Sequence, residues 1–430
     1  MFTAGGGAMH RKIDSNAGPW TVYASVMRWL EEDSSKPTSR VKKAALELVQ
    51  GAASDVEKAR RIHDLVQKTH REFLRRAKPR DGNRPFYTSP SLDAALDLGK
   101  NLHPDLRSSD FTYLALSLYR AAGLQAELIL LPDRRVARLD PKMASHAFLQ
   151  DTCVALLIDG AWHFSMVDTK TPLRFGELPW HNQGHGGLLA RANRQDFIEV
   201  PLTPVDESTI NNFGVFTLNE EGRLTGEFRR VLLGHPALAL REALINQDNE
   251  HQHSLLKESF DDDLKGAELS VTKIANLEEP EKPLEITFKL EWPGYGVLTS
   301  DRLILPPSIF RSRAPSPFPA AGRQNAVRMP FKWQETDRLI IRVPAGFEPE
   351  SMSAPSSYPG ETLGFNVRYT YDAAKRHIHV LRTFQSAVMT VSANDYPHLK
   401  TWYDATVASD QHELVFIKAA GIAAVPANAP

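Results

Sequence analysis

The chain has 430 residues, more than one ordinary hydrophobic core accommodates, so two domains are expected. Lys and Arg number 51 against 52 Asp and Glu, which leaves no net field to hold a nucleic-acid backbone or an anionic lipid surface. No apolar run is long enough for membrane insertion, and the lone cysteine, Cys153, excludes a disulfide within the chain and any multi-cysteine zinc site.

In chain order, residues 1–40 read as a partly disordered tail and linker. Gly5-Gly6-Gly7 and the breaker Ser34-Ser35-Lys36-Pro37 flank a short apolar stretch from Trp20 to Leu30, and no apolar segment of an export signal is visible. From Val41 to Lys78 the pattern is helical: Ser54 and Glu57 form a capping box, and Ala59, Ile62, Val66 and Phe73 recur at helical spacing. A loop over Pro79–Pro90 leads to a short helix at Leu92–Leu98. The segment Ser109–Ala122 then places Phe111, Leu114, Ala115 and Leu118 on one stripe, with Gly123 as its stop, and reads as a central buried helix. Apolar runs at 126–131, 146–149, 153–158 and 161–167 read as strands, the last two joined by Asp159-Gly160, a strong hairpin signal.

Past Pro201 the texture changes. A hairpin over Gly214–Thr225 and a helical pair over Pro236–Phe260 precede strand-like segments at 268–273, 284–290, 338–343, 364–371, 377–383 and 412–416, which suggest a β-sandwich. Helices first and antiparallel strands afterwards give an α+β fold class rather than a doubly wound sheet. The expected division is a tail over 1–40, a core over 41–203 and a β-rich domain over 204–430.

A buried helix whose N-terminus presents a nucleophile, followed by strands carrying a histidine and an aspartate, is a papain-type arrangement. The helix end lowers a thiol pKa, the imidazole takes its proton, and the carboxylate fixes the imidazole tautomer. The candidates in that chain order are Ser108 in Leu106-Arg107-Ser108-Ser109-Asp110, His146 in Ser145-His146-Ala147-Phe148, and Asp168 in Val167-Asp168-Thr169.

On these residues the chain resembles the transglutaminase-like superfamily, of the bacterial multidomain type whose core sits between domains of unknown function. In such cores the nucleophile helix reads Gly-Asp-Cys-x-Asp, with an Arg-Ala-Ala-Gly turn fifteen residues after the cysteine. Counting back fifteen from Gly123 in Arg120-Ala121-Ala122-Gly123 lands on Ser108, and the family's aspartate falls on Asp110. Gly176-Glu177-Leu178-Pro179, then Gly222, Gly226, Gly234 and Arg241, and Asp395-Tyr396-Pro397 extend the resemblance over residues 41–420. The resemblance implies a papain-like core, a preceding domain that this sequence does not contain, and an envelope location. It also implies a lost thiol, because Leu106-Arg107-Ser108 replaces Gly-Asp-Cys.

Two functions follow. The preferred one is a catalytically silent domain that binds a peptide or protein in the former cleft or serves as a scaffold; the alternative is a hydrolase or acyltransferase on peptides or amides with a Ser108-His146-Asp168 triad. Against the triad stands a plain reading in which Ser108 caps its helix and His146 and Asp168 brace two strands. Cys153, inside an apolar run, reads as an inert strand thiol, and His181, His185, His251 and His253 as solvated loop histidines lacking a third metal ligand. The basic stretch Lys68–Arg80 reads as a solvated helix face. No cofactor and no metal are expected.

Overall fold

The computed structural model describes residues 18–77, 91–136, 139–140, 142–143, 145–260, 262–352 and 357–419. The loop expected at 79–90 and the first part of the tail lie outside the described residues. The fold is α+β, and the chain divides into two compact units, Met1–Leu202 and Thr203–Pro430.

Among the described residues the first unit opens with helix α1 (Pro19–Ser34), a correction to the tail expected there. Trp20 and Ala24 enter the core, and Glu31, fully buried, is paired with Arg28 at 2.6 Å and with Arg120. The long helix expected from Val41 is two: α2 (Ser39–Leu48) and α3 (Asp55–Arg76), divided at Gly51. Ser54 Oγ accepts from the Glu57 N–H at 3.1 Å, and the Glu57 carboxylate accepts from the Ala53 N–H at 2.7 Å. After α4 (Leu92–Leu96) comes α5 (Ser108–Ala121), whose stripe of Phe111, Leu114, Ala115 and Leu118 is buried as its spacing predicts. Each large side chain so buried contributes roughly 1.5–3 kcal/mol. Helix α5 packs on α2, α3 and α4 and on a five-stranded antiparallel sheet.

That sheet has the order β3-β2-β1-β4-β5. Its strands are β1 (Gln125–Pro132), β2 (Leu149–Ile158), β3 (Ala161–Ser165), β4 (His185–Leu189) and β5 (Phe197–Val200). Asp159 and Gly160, with φ of 52° and 80°, make the two-residue β2–β3 turn. The strand expected over 146–149 is instead a 3-10 turn, His146–Phe148, that leads into β2.

In the second unit β6 (Thr209–Leu218) and β7 (Leu224–Leu233) form a hairpin longer than the one expected at 214–225, followed by the helical pair α6 (Gly234–Leu244) and α7 (Asn249–Glu258). The remaining strands are β8 (Glu268–Ala275), β9 (Leu284–Trp292), β10 (Val297–Leu298), β11 (Arg302–Leu305), β12 (Val327–Arg328), β13 (Trp333–Arg342), β14 (Phe347–Ser351), β15 (Ser357–Tyr358), β16 (Leu363–Asp372), β17 (His377–Ser386), β18 (Thr390–Val391) and β19 (Leu414–Lys418). Helix α8 (Tyr396–Asp410), not expected from the sequence, precedes β19.

An eight-stranded sheet runs β15-β16-β17-β13-β6-β7-β9-β8, antiparallel except where β13 joins β6 in parallel. Inward residues of this sheet share one core with the four-stranded sheet β10-β11-β19-β14, as where Tyr371 meets Phe416 edge-on at 5.5 Å. On the face carrying the outward residues of β6, β7 and β13, the Phe213 ring lies between the guanidinium groups of Arg229 and Arg338, at 5.5 and 5.7 Å.

Candidate functional site

Ser108 is the first residue of α5 and does not cap it, which corrects the plain reading of that serine. The cap is made from the other direction: Asp110 Oδ2 accepts from the Arg107 N–H at 2.7 Å. Asp110 is therefore a buried structural residue at the helix entrance, where a carboxylate also complements the helix dipole. One turn beyond Ser108 and on the same helix face stands Thr112, whose hydroxyl lies beside the Asp168 carboxyl.

Asp168 sits just past the end of β3. Burial pushes its carboxyl up to about 6, the Thr112 hydroxyl opposes that rise, and the Asp151 carboxylate adds to it. The Cys153 thiol on β2 is fully buried and pushed well above its ordinary value by burial, then by Asp168 and Asp151. The Asp151 carboxylate thus acts electrostatically on Asp168, and both act on the sealed Cys153 thiol. His146 lies in the turn before β2, and its side chain is outside the described residues.

A second cluster adjoins Asp151. One ligand-type atom from each of Asp133, Asp151 and His181 lies within 4.8 Å of the others. His181 is half-buried, and burial, then Arg135, lowers its pKa, so it is not the solvated loop histidine expected. The two partners that the sequence did not identify are the carboxylates at the end of β1 and the start of β2. Asp133 is already engaged: Arg135 donates from Nε at 3.0 Å and from Nη2 at 2.6 Å. Burial works to raise the Asp133 pKa, and those Arg135 bonds outweigh it and hold the carboxylate ionised. Asp151 accepts from Asn182 Nδ2 at 2.8 Å. The cluster therefore reads as a braced charge network that ties the turn at 180–182 to the sheet. His251, by contrast, is exposed and lies against Asp248 at 2.9 Å.

Sequence reasoning missed a third group. His63 Nε2 lies 2.8 Å from the Leu173 carbonyl, and Nδ1 lies 3.0 Å from Ser165 Oγ, which is 2.7 Å from the Tyr119 hydroxyl. A carbonyl only accepts, so Nε2 carries the proton, Nδ1 accepts from Ser165, and Ser165 accepts from Tyr119. All three side chains are fully buried, so this serine-histidine pair joins α3, α5 and β3 and meets no substrate. His70, one helical repeat on, is buried between Phe73 and Phe111, with ring centroids 6.1 and 5.0 Å away. The signal was present in the sequence, because His63 and His70 extend the stripe of Ala59, Ile62, Val66 and Phe73.

Burial pushes both rings down to about 4. A histidine with a depressed folded pKa supports the fold above its unfolded value near 6.5 and withdraws that support as pH falls toward 4. Asp168, raised instead, costs stability as pH rises from about 4 through 6. Two histidines outweigh one carboxyl, so the first unit is expected to lose a few kcal/mol between pH 7 and pH 4.5. Urea midpoints at the two pH values measure this; an unchanged or higher midpoint at pH 4.5 refutes it.

Compared with known proteins, residues 301–416 match the model of a domain family of unknown function, DUF3858. No curated protein matches the chain. The fold is similar to the crystal structure of a chain described as a putative protease from Parabacteroides distasonis ATCC 8503, with a TM-score of 0.50 at 13% identity. That likeness covers 93% of this chain and 58% of the other, so this chain spans under two thirds of its neighbour's length. At that identity the likeness is one of fold.

Among the described residues, no helix is long and apolar enough to cross a membrane.

Proposed function

We propose that the first unit is a transglutaminase-like core that has given up thiol chemistry and binds a peptide or protein segment at the N-terminus of α5. The observation that carries this reading is the state of the chain's one cysteine. Cys153 is fully buried in β2 and held protonated beside two carboxylates, while the helix entrance offers the hydroxyl of Ser108. A helix end and an imidazole bring a thiol to the thiolate near neutral pH, but they do not ionise a hydroxyl. Burial, with a further contribution from Asp151, raises the Asp168 carboxyl, whereas the aspartate that orients a catalytic imidazole works ionised.

The alternative, hydrolysis of peptides or amides by Ser108, His146 and Asp168, draws its support from the fold likeness to a putative protease. Acylating probes with amide and ester leaving groups separate the two readings in the wild type, Ser108→Ala, His146→Ala and Ser108→Cys. Silence of the wild type with labelling gained only by Ser108→Cys is expected. Wild-type labelling that both alanine variants abolish would establish the hydrolase instead.

A binding role also explains why a costly carboxylate is kept. Asp168→Asn is expected to raise stability at pH 7.5 by roughly 2 kcal/mol and to match the wild type below about pH 4, where both side chains are neutral. Melting curves at the two pH values measure the difference; a destabilised variant at pH 7.5 would count against a strained, functional Asp168.

A further inference from the structure

The segment matched by the family of unknown function contains a cavity of about 290 Å³, every lining residue of which lies between Arg311 and Asp410. Its volume is close to the lower end, about 300 Å³, of small-ligand sites. Its walls include Pro317, Phe318, Met329, Trp333 and Phe384. The rings brace one another, Trp333 against Phe384 at 5.7 Å and Phe318 against Tyr403 at 4.8 Å, so the space is formed in advance.

The charged lining is balanced: Arg311 and Arg382 against Glu335 and Asp410. Arg382 forks onto Asp410, with Nε at 2.7 Å and Nη2 at 2.9 Å, and Arg311 Nη2 donates to Glu335 Oε2 at 2.8 Å. Two buried atoms remain without a hydrogen-bond partner, the acceptor Glu335 Oε1 and the donor Arg382 Nη1. Arg382 Nη1 lies 3.8 Å from Glu335 Oε2 and 3.7 Å from Asp337 Oδ2, in ion-pair range but beyond hydrogen-bond reach, so a donor and an acceptor with unused hydrogen-bond capacity belong to neighbouring groups lining one pocket. Leaving such groups unpaired is costly, which favours an occupant that satisfies both. A net charge on that occupant would upset the balance, and a zwitterion would have to shed its water.

We propose that this cavity binds one residue of a peptide, taking its neutral amide on Glu335 and Arg382 and its apolar side chain among the rings. The site lies in the second unit and does not depend on the reading of Ser108.

N-acetyl-L-phenylalaninamide is the probe, titrated calorimetrically into the full chain. The control ester, 2-phenylethyl acetate, keeps the ring and a carbonyl but has no amide N–H donor. Val407→Phe on the half-buried rim fills the cavity, and Ala314→Phe, also on its lining, serves where the first variant melts early. The expected result is saturable binding of the amide, at least tenfold weaker binding of the ester, and at least a tenfold loss in a filled variant whose melting point is unchanged. Absence of amide binding, equal binding of the ester, or full binding by a folded, filled variant overturns the proposal.

Discussion

Arg382→Ala is expected to destabilise the second unit by about 3–5 kcal/mol, a melting decrease of roughly 10 °C or more. The Arg382 side chain is 4% exposed and holds Asp410, which is 5% exposed, while also facing Glu335 and Asp337 at 3.8 and 3.7 Å. Its loss leaves Asp410 buried without its cation and leaves Glu335 dependent on Arg311. The penalty is the desolvation of stranded carboxylates rather than the worth of one ion pair. The Arg302–Glu350 pair supplies the contrast: its side chains are 42% and 34% exposed, and Arg302→Ala is expected to cost far less. Thermal melts of the two variants test the argument, and equal losses would refute it.

The second large effect is expected at Gly226. This residue lies on β7 between β6 and β9, opposite Phe216 and Leu290. A Cβ there would stand 2.3 Å from the Val215 carbonyl oxygen and 2.8 Å from the Phe216 Cα, which are backbone atoms that cannot turn aside. Gly226→Ala must spread two central strands and is expected to cost about 3 kcal/mol or more, in the range of severe overpacking. Gly123→Ala, at φ +82° but with no atom within 4 Å of its new carbon, should cost only about 1–2 kcal/mol from backbone strain. Urea unfolding of both variants gives the comparison; the reverse order would show that the strands separate easily.

What the sequence disclosed was local. The stripe of α5, the caps around Ser54 and Glu57 and the Asp159-Gly160 turn each depend on residues a few positions apart, and each is present. Features set by distant partners were hidden. Helix α1 is anchored where Glu31 meets Arg120, a contact that no local pattern encodes. Strand β13 begins at Trp333, ahead of the expected Arg338, because Gln334-Glu335-Thr336-Asp337 looks like a loop until Arg311 and Arg382 are seen to neutralise it. At the candidate site, Ser108, Asp110 and Asp168 are legible as candidates from their spacing, yet the role of Asp110 as the cap required a backbone N–H to be located. Asp151, Asp133 and His181 come together only when β1, β2 and the turn at 180–182 are folded side by side.

The parallel pairing of β6 with β13 bears on how the protein is made. Strand β6 ends at Leu218 and its partner begins at Trp333, so on a ribosome the outer edge of the β6–β7 hairpin emerges long before the strand that covers it. At 5–20 residues per second the wait is on the order of ten seconds, during which that edge can pair with the same edge of another nascent chain. The family match at 301–416 includes β13 but not β6, so the matched segment and the smallest piece that closes its own sheet are different lengths of polypeptide.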